Sequence, residues 1–350
     1  MTELIVSIAS RKIGPDYPPY VIAELSGNHN GDINRAFKVM EAAQQAGADA
    51  VKLQTYTADT ITIDHDGPGF TIESGLWAGK NLYQLYQEAF TPWGWHQALF
   101  ERGRELGITV FSTPFDATAV DFLEELGAPA YKIASFEMID LALIEKVATT
   151  GKPLIISTGM ADAEEIEEAV RAARQGGCRE LILLHCVSGY PTPSEEANLR
   201  VIPVLSDHYK VPVGLSDHTK GVATAITCVG LGASVIEKHV TLRRSDGGPD
   251  AAFSLEPEEL QLLCQQVKIA WSSLGSADFT QTPSEEHSLI FRRSLYVVRD
   301  MEEGDIFSKE NVRSIRPGYG LAPKNLSAIV GRRASGRIRR GTPLDWLLVR

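Results

Sequence analysis

From residue 20 to about residue 275 the chain repeats one pattern of apolar and polar positions. A short apolar run rich in β-branched residues is followed by a stretch in which apolar residues recur every three or four positions. The runs are VIAELS (21–26), AVKLQT (50–55), TVFSTPF (109–115), AYKIAS (130–135), PLIIST (153–158), LILLHCV (181–187), VPVGLSDH (211–218) and SVIEKHV (234–240). Near-continuous apolarity over so few residues predicts strands buried on both faces, as in a parallel sheet. The intervening stretches, such as NRAFKVMEAAQQAGA and ADAEEIEEAVRAARQGG, predict helices that stop at glycine. Eight such units in about 255 residues predict an α/β fold, a (β/α)8 TIM barrel, with a doubly wound open sheet as the alternative. No GxGxxG follows the first run, which weighs against dinucleotide binding.

The flanks break the pattern. LIVSIASRKIGPDYPPY, ahead of the first run, predicts a short hairpin plugging the barrel floor. Residues 56–108 separate the second and third runs by an unusually long span with aromatics at Trp77, Tyr83, Tyr86, Trp93 and Trp95. Such a loop is expected to pack mostly on the barrel and to offer a lid or substrate wall. Three regions follow: a barrel domain over 1–275, a polar linker over 276–291, and a small β-rich module over 292–350. The turns EEGDIFS and RRGTPLD punctuate that module.

Charge sharpens this division. The 350 residues carry a net charge of −11, which argues against a nucleic-acid partner. Residues 292–350, however, hold 13 Lys/Arg against 6 Asp/Glu, about +7, which leaves about −18 for the rest. Hydrophobic residues make up 43% of the chain, enough for a sizeable core. No run approaches the roughly 18 apolar residues of a membrane span, and the first residues lack a secretory pattern, so no membrane association is expected. Cys178, Cys186, Cys228 and Cys264 are widely spaced in apolar segments, which predicts buried free thiols and a reducing, cytoplasmic setting.

In a barrel of this kind chemistry gathers at the C-terminal strand ends. Those ends here carry Glu24, Ser26, Asn28 and His29; Lys52 and Gln54; Ser112 and Thr113; Lys132 and Ser135; Ser157 and Thr158; Ser188 and Tyr190; Ser216, Asp217 and His218; and Glu237 and His239. Residues 219–233 predict a helix joining the last two strands. His218 and His239 then share one end of adjacent strands about 4.8 Å apart. Two imidazoles there can hold one divalent cation with open positions, or they form a hydrogen-bonded pair with no metal. Lys52 and Lys132 on apolar strands need partners. With Thr113, Ser135, Ser157, Ser188 and Ser216 they could cradle a phosphate, or they pair with Glu24 or Glu237. A Schiff-base lysine is a third option. Glu24 is a candidate for proton transfer or a counter-ion of Lys52. GGPDAAFSL places Asp250 in a glycine-rich loop, and RPGYG places Arg316 in a turn of the small module.

AELSGNHNGD, AGADAVKLQTYTADTIT, STPFD, AYKIASFE, STGMA, HCVSGYPTP, GLSDHT and VIEKHVTL together resemble the sialic acid synthase family, and residues 292–350 resemble its antifreeze-like (SAF) domain. Within it, AELSGNH and GLWAGKNLYQLYQEAFTPWGWH look most like the pseudaminic acid synthases. The resemblance implies a phosphoenolpyruvate-dependent transferase forming a C–C bond to an acetamido sugar. It implies His218 and His239 as ligands of manganese, or magnesium or cobalt, and Glu24 as the proton-transfer carboxylate. Phosphoenolpyruvate would meet Lys52, Thr113, Lys132, Ser135, Ser157, Ser188 and Ser216. The sugar would meet Gln54, Tyr190, Asp250 and Arg316, the last reaching in from the partner of a domain-exchanged homodimer. N-acetylneuraminate or legionaminic acid synthesis is the alternative within that family. A sugar-binding protein without catalysis is the alternative outside it.

Overall fold

The computed structural model describes residues 4–350 and divides into two compact units, one running to Gly275 and the other covering Ser276–Arg350. Eight parallel strands close the first unit into a barrel. They are β1 (Tyr20–Glu24), β2 (Ala50–Thr55), β3 (Thr109–Pro114), β4 (Tyr131–Ile133), β5 (Leu154–Ser157), β6 (Leu181–Cys186), β7 (Val213–Asp217) and β8 (Val235–His239). Strand β8 pairs with β1, so no edge is left and the open-sheet alternative is excluded. All eight strands fall within or one residue beyond the apolar runs, because a strand covered on both faces has no polar face to blur its boundaries.

Side chains alternate between two cores. Outward residues such as Val21, Val51, Leu183 and Ile236 pack under the helices. Inward residues Tyr20, Ile22, Ala50, Phe111, Ile155, Ile182, Leu184 and Val235 fill the lower barrel. The same inner core takes Val6, Ile8 and Ile13 of an antiparallel hairpin, Val6–Ile8 with Arg11–Ile13, which stoppers that end. Gly214 is required inside: a Cβ there would lie 2.2 Å from the Val235 carbonyl oxygen.

The helix Ile33–Ala46 is capped by Asp32 and stopped by Gly47 in the left-handed region, and Ala163–Gln175 carries a capping box from Asp162 and Glu165. The link from β7 to β8 differs from its prediction. Only Ala223–Val229 is helical, because Thr219–Val222 turn over the barrel rim, with Gly221 at positive φ. No helix among the described residues is long and apolar enough to cross a membrane, and the four cysteines are free and buried.

In the second unit Ser294–Val297 pairs antiparallel with Val312–Ile315, around a core of Leu295, Val297, Phe307, Val312, Ile329 and Leu344. Residues 276–291 belong to this unit and include the 3-10 helix Pro283–Phe291, whose start Thr282 and Glu285 cap. The polarity that suggests a linker there reflects an exposed capped turn rather than missing structure.

Candidate functional site

Strand alternation sends Glu24, Lys52, Gln54, Thr113, Lys132, Ser157, Ser216, Glu237 and His239 into the upper barrel, above the apolar plug. Glu237 stands at the centre. Its carboxylate accepts from Lys132 Nζ at 2.9 and 3.1 Å and from Ser216 Oγ at 3.1 Å, and lies 3.0 Å from Lys52 Nζ. Lys52 also reaches Glu24 Oε2 at 3.0 Å and Thr113 Oγ1 at 3.3 Å, and Gln54 donates to Glu24 at 3.0 Å. The ion pairs weighed against an anion cradle are thus present, and both lysines meet on one acid.

Sharing divides the acids' roles. Burial would raise Glu237, but Lys132 and Lys52 outweigh it and hold that carboxyl well below the usual carboxylate range. Burial raises Glu24, Lys52 only partly offsets it, and the Glu237 charge adds to the rise. Of the two, Glu24 is the one that takes a proton readily. Burial opposes the Lys52 ammonium, yet Glu237 and Glu24 keep it above its ordinary value. Lys132 is pulled below its ordinary value, chiefly by burial.

The serines lie beside these groups. Ser135 Oγ accepts from the Gly159 N–H at 3.0 Å, and the buried Ser157 Oγ has no protein partner. A Cβ on Gly159 would stand 2.4 Å from Ser188 Oγ and 2.7 Å from Ser135 Oγ, so glycine keeps a small polar hollow open between them.

The two imidazoles meet, with ring centroids 5.3 Å apart. Phe253 packs against both, and Tyr190 lies 4.4 Å from His218. Asp250 accepts from Ser26 Oγ and places Oδ2 3.6 Å from His239 Nδ1. His218 Nδ1 bonds the Val187 carbonyl oxygen at 3.0 Å, which leaves Nε2 as the free lone pair, and the buried His239 Nδ1 has no hydrogen-bond partner. Burial, then the His218 and Lys52 charges, hold His239 well below its usual range and therefore neutral. Burial opposes charge on His218 too, but Cys186 raises it, so a cation arriving there competes with a proton. Ring separation, an orphaned nitrogen and a neutral imidazole fit one divalent ion held by His218 and His239. Among the described residues no group of three or more His, Cys, Asp or Glu side chains is placed to hold a metal ion, so the two imidazoles are the protein donors on which that fit rests.

Some expected residues serve structure instead. Asn28 Nδ2 ties Val240 O and Ser254 Oγ together at 2.8 Å each, and His29 packs edge-on against Trp95. Ser112 points outward to Thr55 and, through it, His96. The aromatic segment divides: Trp93 stacks on Phe122 and Tyr86 packs against Tyr56, while Trp77 comes down on Tyr190 at 5.5 Å and donates to the Pro249 carbonyl at 2.8 Å. Arg316 lies in the second unit, its guanidinium 6.0 Å over the Phe291 ring.

Two residues escape the strand-end reading because they lie just past it. Gly159 is one, signalled only by STGM. Glu137, in the 3-10 turn Ser135–Glu137, is the other. Its Oε2 is buried without a partner, and burial raises its carboxyl to about 7. A raised pKa favours the folded state below about pH 4.5, and that advantage is lost as pH rises through 7. Glu137→Gln is therefore expected to stabilise the protein at pH 8 by up to about 3 kcal/mol and to change nothing at pH 4. Paired denaturant titrations at the two pH values check this; equal shifts at both would refute the burial account.

A closed parallel barrel with acids, amines and imidazoles gathered at its C-terminal mouth is the architecture of a barrel enzyme. The chain belongs to the NeuB family, which residues 39–279 match, and residues 292–350 match the SAF domain. It is 42% identical to the pseudaminic acid synthase of Helicobacter pylori, over 94% of this chain and 97% of that protein. It is 38% identical to the N,N'-diacetyllegionaminic acid synthase of Legionella pneumophila, over 93% of each. The crystal structure of the N-acetylneuraminic acid synthetase of Leptospira borgpetersenii, in complex with citrate, superposes with a TM-score of 0.73. That likeness covers 82% of this chain and 95% of that one, at 34% identity.

Proposed function

We propose that this chain condenses phosphoenolpyruvate with 2,4-diacetamido-2,4,6-trideoxy-L-altrose and water, giving pseudaminic acid and phosphate. The observation that carries the reading is the buried group formed by Lys52, Lys132, Glu237 and Glu24 beside the paired imidazoles. The extent of similarity to the Helicobacter pylori protein supports the choice of sugar.

Lys52 and Lys132 hold the phosphate and carboxylate of phosphoenolpyruvate, with Thr113, Ser135, Ser157, Ser188 and Ser216 donating around the hollow at Gly159. Gln54, Tyr190 and Asp250 orient the open-chain sugar, and Trp77 adds an apolar wall that suits a C6 methyl group. Arg316 completes the sugar site from the small module of a second copy, in a domain-exchanged homodimer. A divalent ion, manganese or else magnesium or cobalt, held by His218 and His239, would supply Lewis-acid polarisation of the sugar aldehyde. C3 of phosphoenolpyruvate forms the new bond to the aldehyde carbon, water adds at C2, and phosphate leaves by C–O cleavage. Glu24 carries the proton that these steps exchange. Positioning and fixed charge provide most of the acceleration.

The test is phosphate release from phosphoenolpyruvate against a panel of C6-deoxy and C6-hydroxy acetamido sugars. Release is expected with the 2,4-diacetamido-2,4,6-trideoxy-L-altrose substrate, to be abolished by EDTA and restored by Mn²⁺. Release only with N-acetylmannosamine or the legionaminic precursor would move the assignment to those synthases. Absence of phosphate release with every sugar of the panel would leave a binding protein, and full activity in excess EDTA would remove the metal.

A further inference from the structure

Lys238 is fully buried, and it faces away from the chemistry. On β8 its neighbours Glu237 and His239 point into the barrel, so alternation sends Lys238 to the outer side, beneath the helices. It stands in register with Asp217 of β7, and its Nζ meets Asp217 Oδ2 at 2.7 Å, with side chains 0% and 1% exposed. The same ammonium donates to the Thr219 carbonyl, while Asp217 Oδ1 accepts from the Thr219 N–H at 2.8 Å.

A buried pair of this kind is a weak source of stability, since an apolar pair of similar volume usually does as well. Its geometry offers a better reason. Strand β7 ends at Asp217, and His218 is the first residue beyond it. Asp217 and Thr219, on either side of His218, are both tied to one ammonium, and that ammonium belongs to the residue before His239. A single charge thus links the backbone on both sides of one imidazole to the strand carrying the other.

We infer that Lys238 and Asp217 are positioning residues that hold His218 and His239 in the relative placement needed to share a divalent cation. The inference rests on the metal-binding reading above. It separates the pair from Lys52 and Lys132, which meet the barrel interior and the anion.

The experiment titrates the metal-free full-length protein with Mn²⁺ alone, followed by electron paramagnetic resonance. It compares wild type, Asp217→Asn, and the double variant Asp217→Asn/Lys238→Met, which removes both charges together. The variants are expected to bind Mn²⁺ at least tenfold more weakly, a loss typical of groups that orient metal-bound histidines. Phosphoenolpyruvate affinity without metal, read by tryptophan fluorescence, should stay within about twofold, and kcat should recover at high Mn²⁺. Folded variants with wild-type Mn²⁺ affinity, or with both affinities weakened equally, would overturn the inference. So would failure of both variants to fold, which would assign the pair to folding alone. Absence of Mn²⁺ binding by wild type would instead sink the metal reading, and this proposal with it.

Discussion

Glu24→Gln is expected to lower kcat by two to four orders of magnitude while both substrates still bind within a few-fold of wild type. The range is that of a lost general acid–base group. The substitution keeps the volume of the side chain and an oxygen for the Gln54 amide, which donates to Glu24 at 3.0 Å. It removes the one property that distinguishes Glu24 from Glu237, a carboxyl that burial lifts toward exchanging its proton. Steady-state kcat with equilibrium binding of each substrate separates the two effects, and the pH–rate profile should lose one limb. A kcat near wild type would take Glu24 out of the chemistry and leave it as a counter-ion of Lys52.

Glu237→Leu should produce the largest loss of stability. It leaves the buried Lys132 ammonium without a carboxylate partner and Lys52 with Glu24 alone; the two lysine side chains are 2% and 4% exposed. Removing one member of a buried ionic group typically costs about 3–5 kcal/mol, which for a domain of this size lowers Tm by roughly 10 °C. Glu237 is held below its ordinary pKa in the folded state, so its contribution is present above about pH 4.5 and lost as pH falls below that. The deficit of the variant should follow the same window. Adding Lys132→Met to Glu237→Leu should recover part of the loss, because it removes one uncompensated charge. Thermal unfolding across pH checks both points. A Tm within about 2 °C of wild type at pH 7 would mean that the lysines do not depend on Glu237.

These two acids show where sequence legibility stops. Glu24 and Glu237 both stand on apolar runs, both carry a lysine neighbour in the folded barrel, and both are expected from sequence at strand ends. Nothing local distinguishes them. The difference arises because β1 and β8 close the barrel against each other, and the ring brings Lys132 from β4 across to Glu237 but not to Glu24. Glu137 illustrates the same point from outside the strands: an acid in a surface turn reads as a solvated residue until the fold tucks its carboxyl inward while Phe136 beside it stays exposed.

Other features were legible because their cause is local. A strand covered on both faces must be apolar nearly throughout, so eight runs of that kind, each followed by a helix period and a glycine stop, specify a parallel αβ repeat. A polar residue inside such a run is conspicuous for the same reason, and that is why Lys52, Lys132 and the histidine pair stood out. The aromatic segment was less legible. An indole packs equally well on a helix or over a mouth, and Trp77 and Trp93 differ only in which surface the long loop lays them against.

The sequence by itself determined the barrel, the hairpin stopper, the basic β-rich module and the types of side chain offered at the barrel mouth. Those follow from periodicity and composition, which act over a few residues. Tertiary structure alone decided that both lysines converge on Glu237, that Gly159 keeps a hollow between two serines, and that Lys238 ties the flanks of His218 to the strand of His239. The first depends on closure of the ring, which brings Lys52 near the start of the barrel to Glu237 on its last strand, and the other two on pairing of neighbouring strands, so all lie beyond any local pattern.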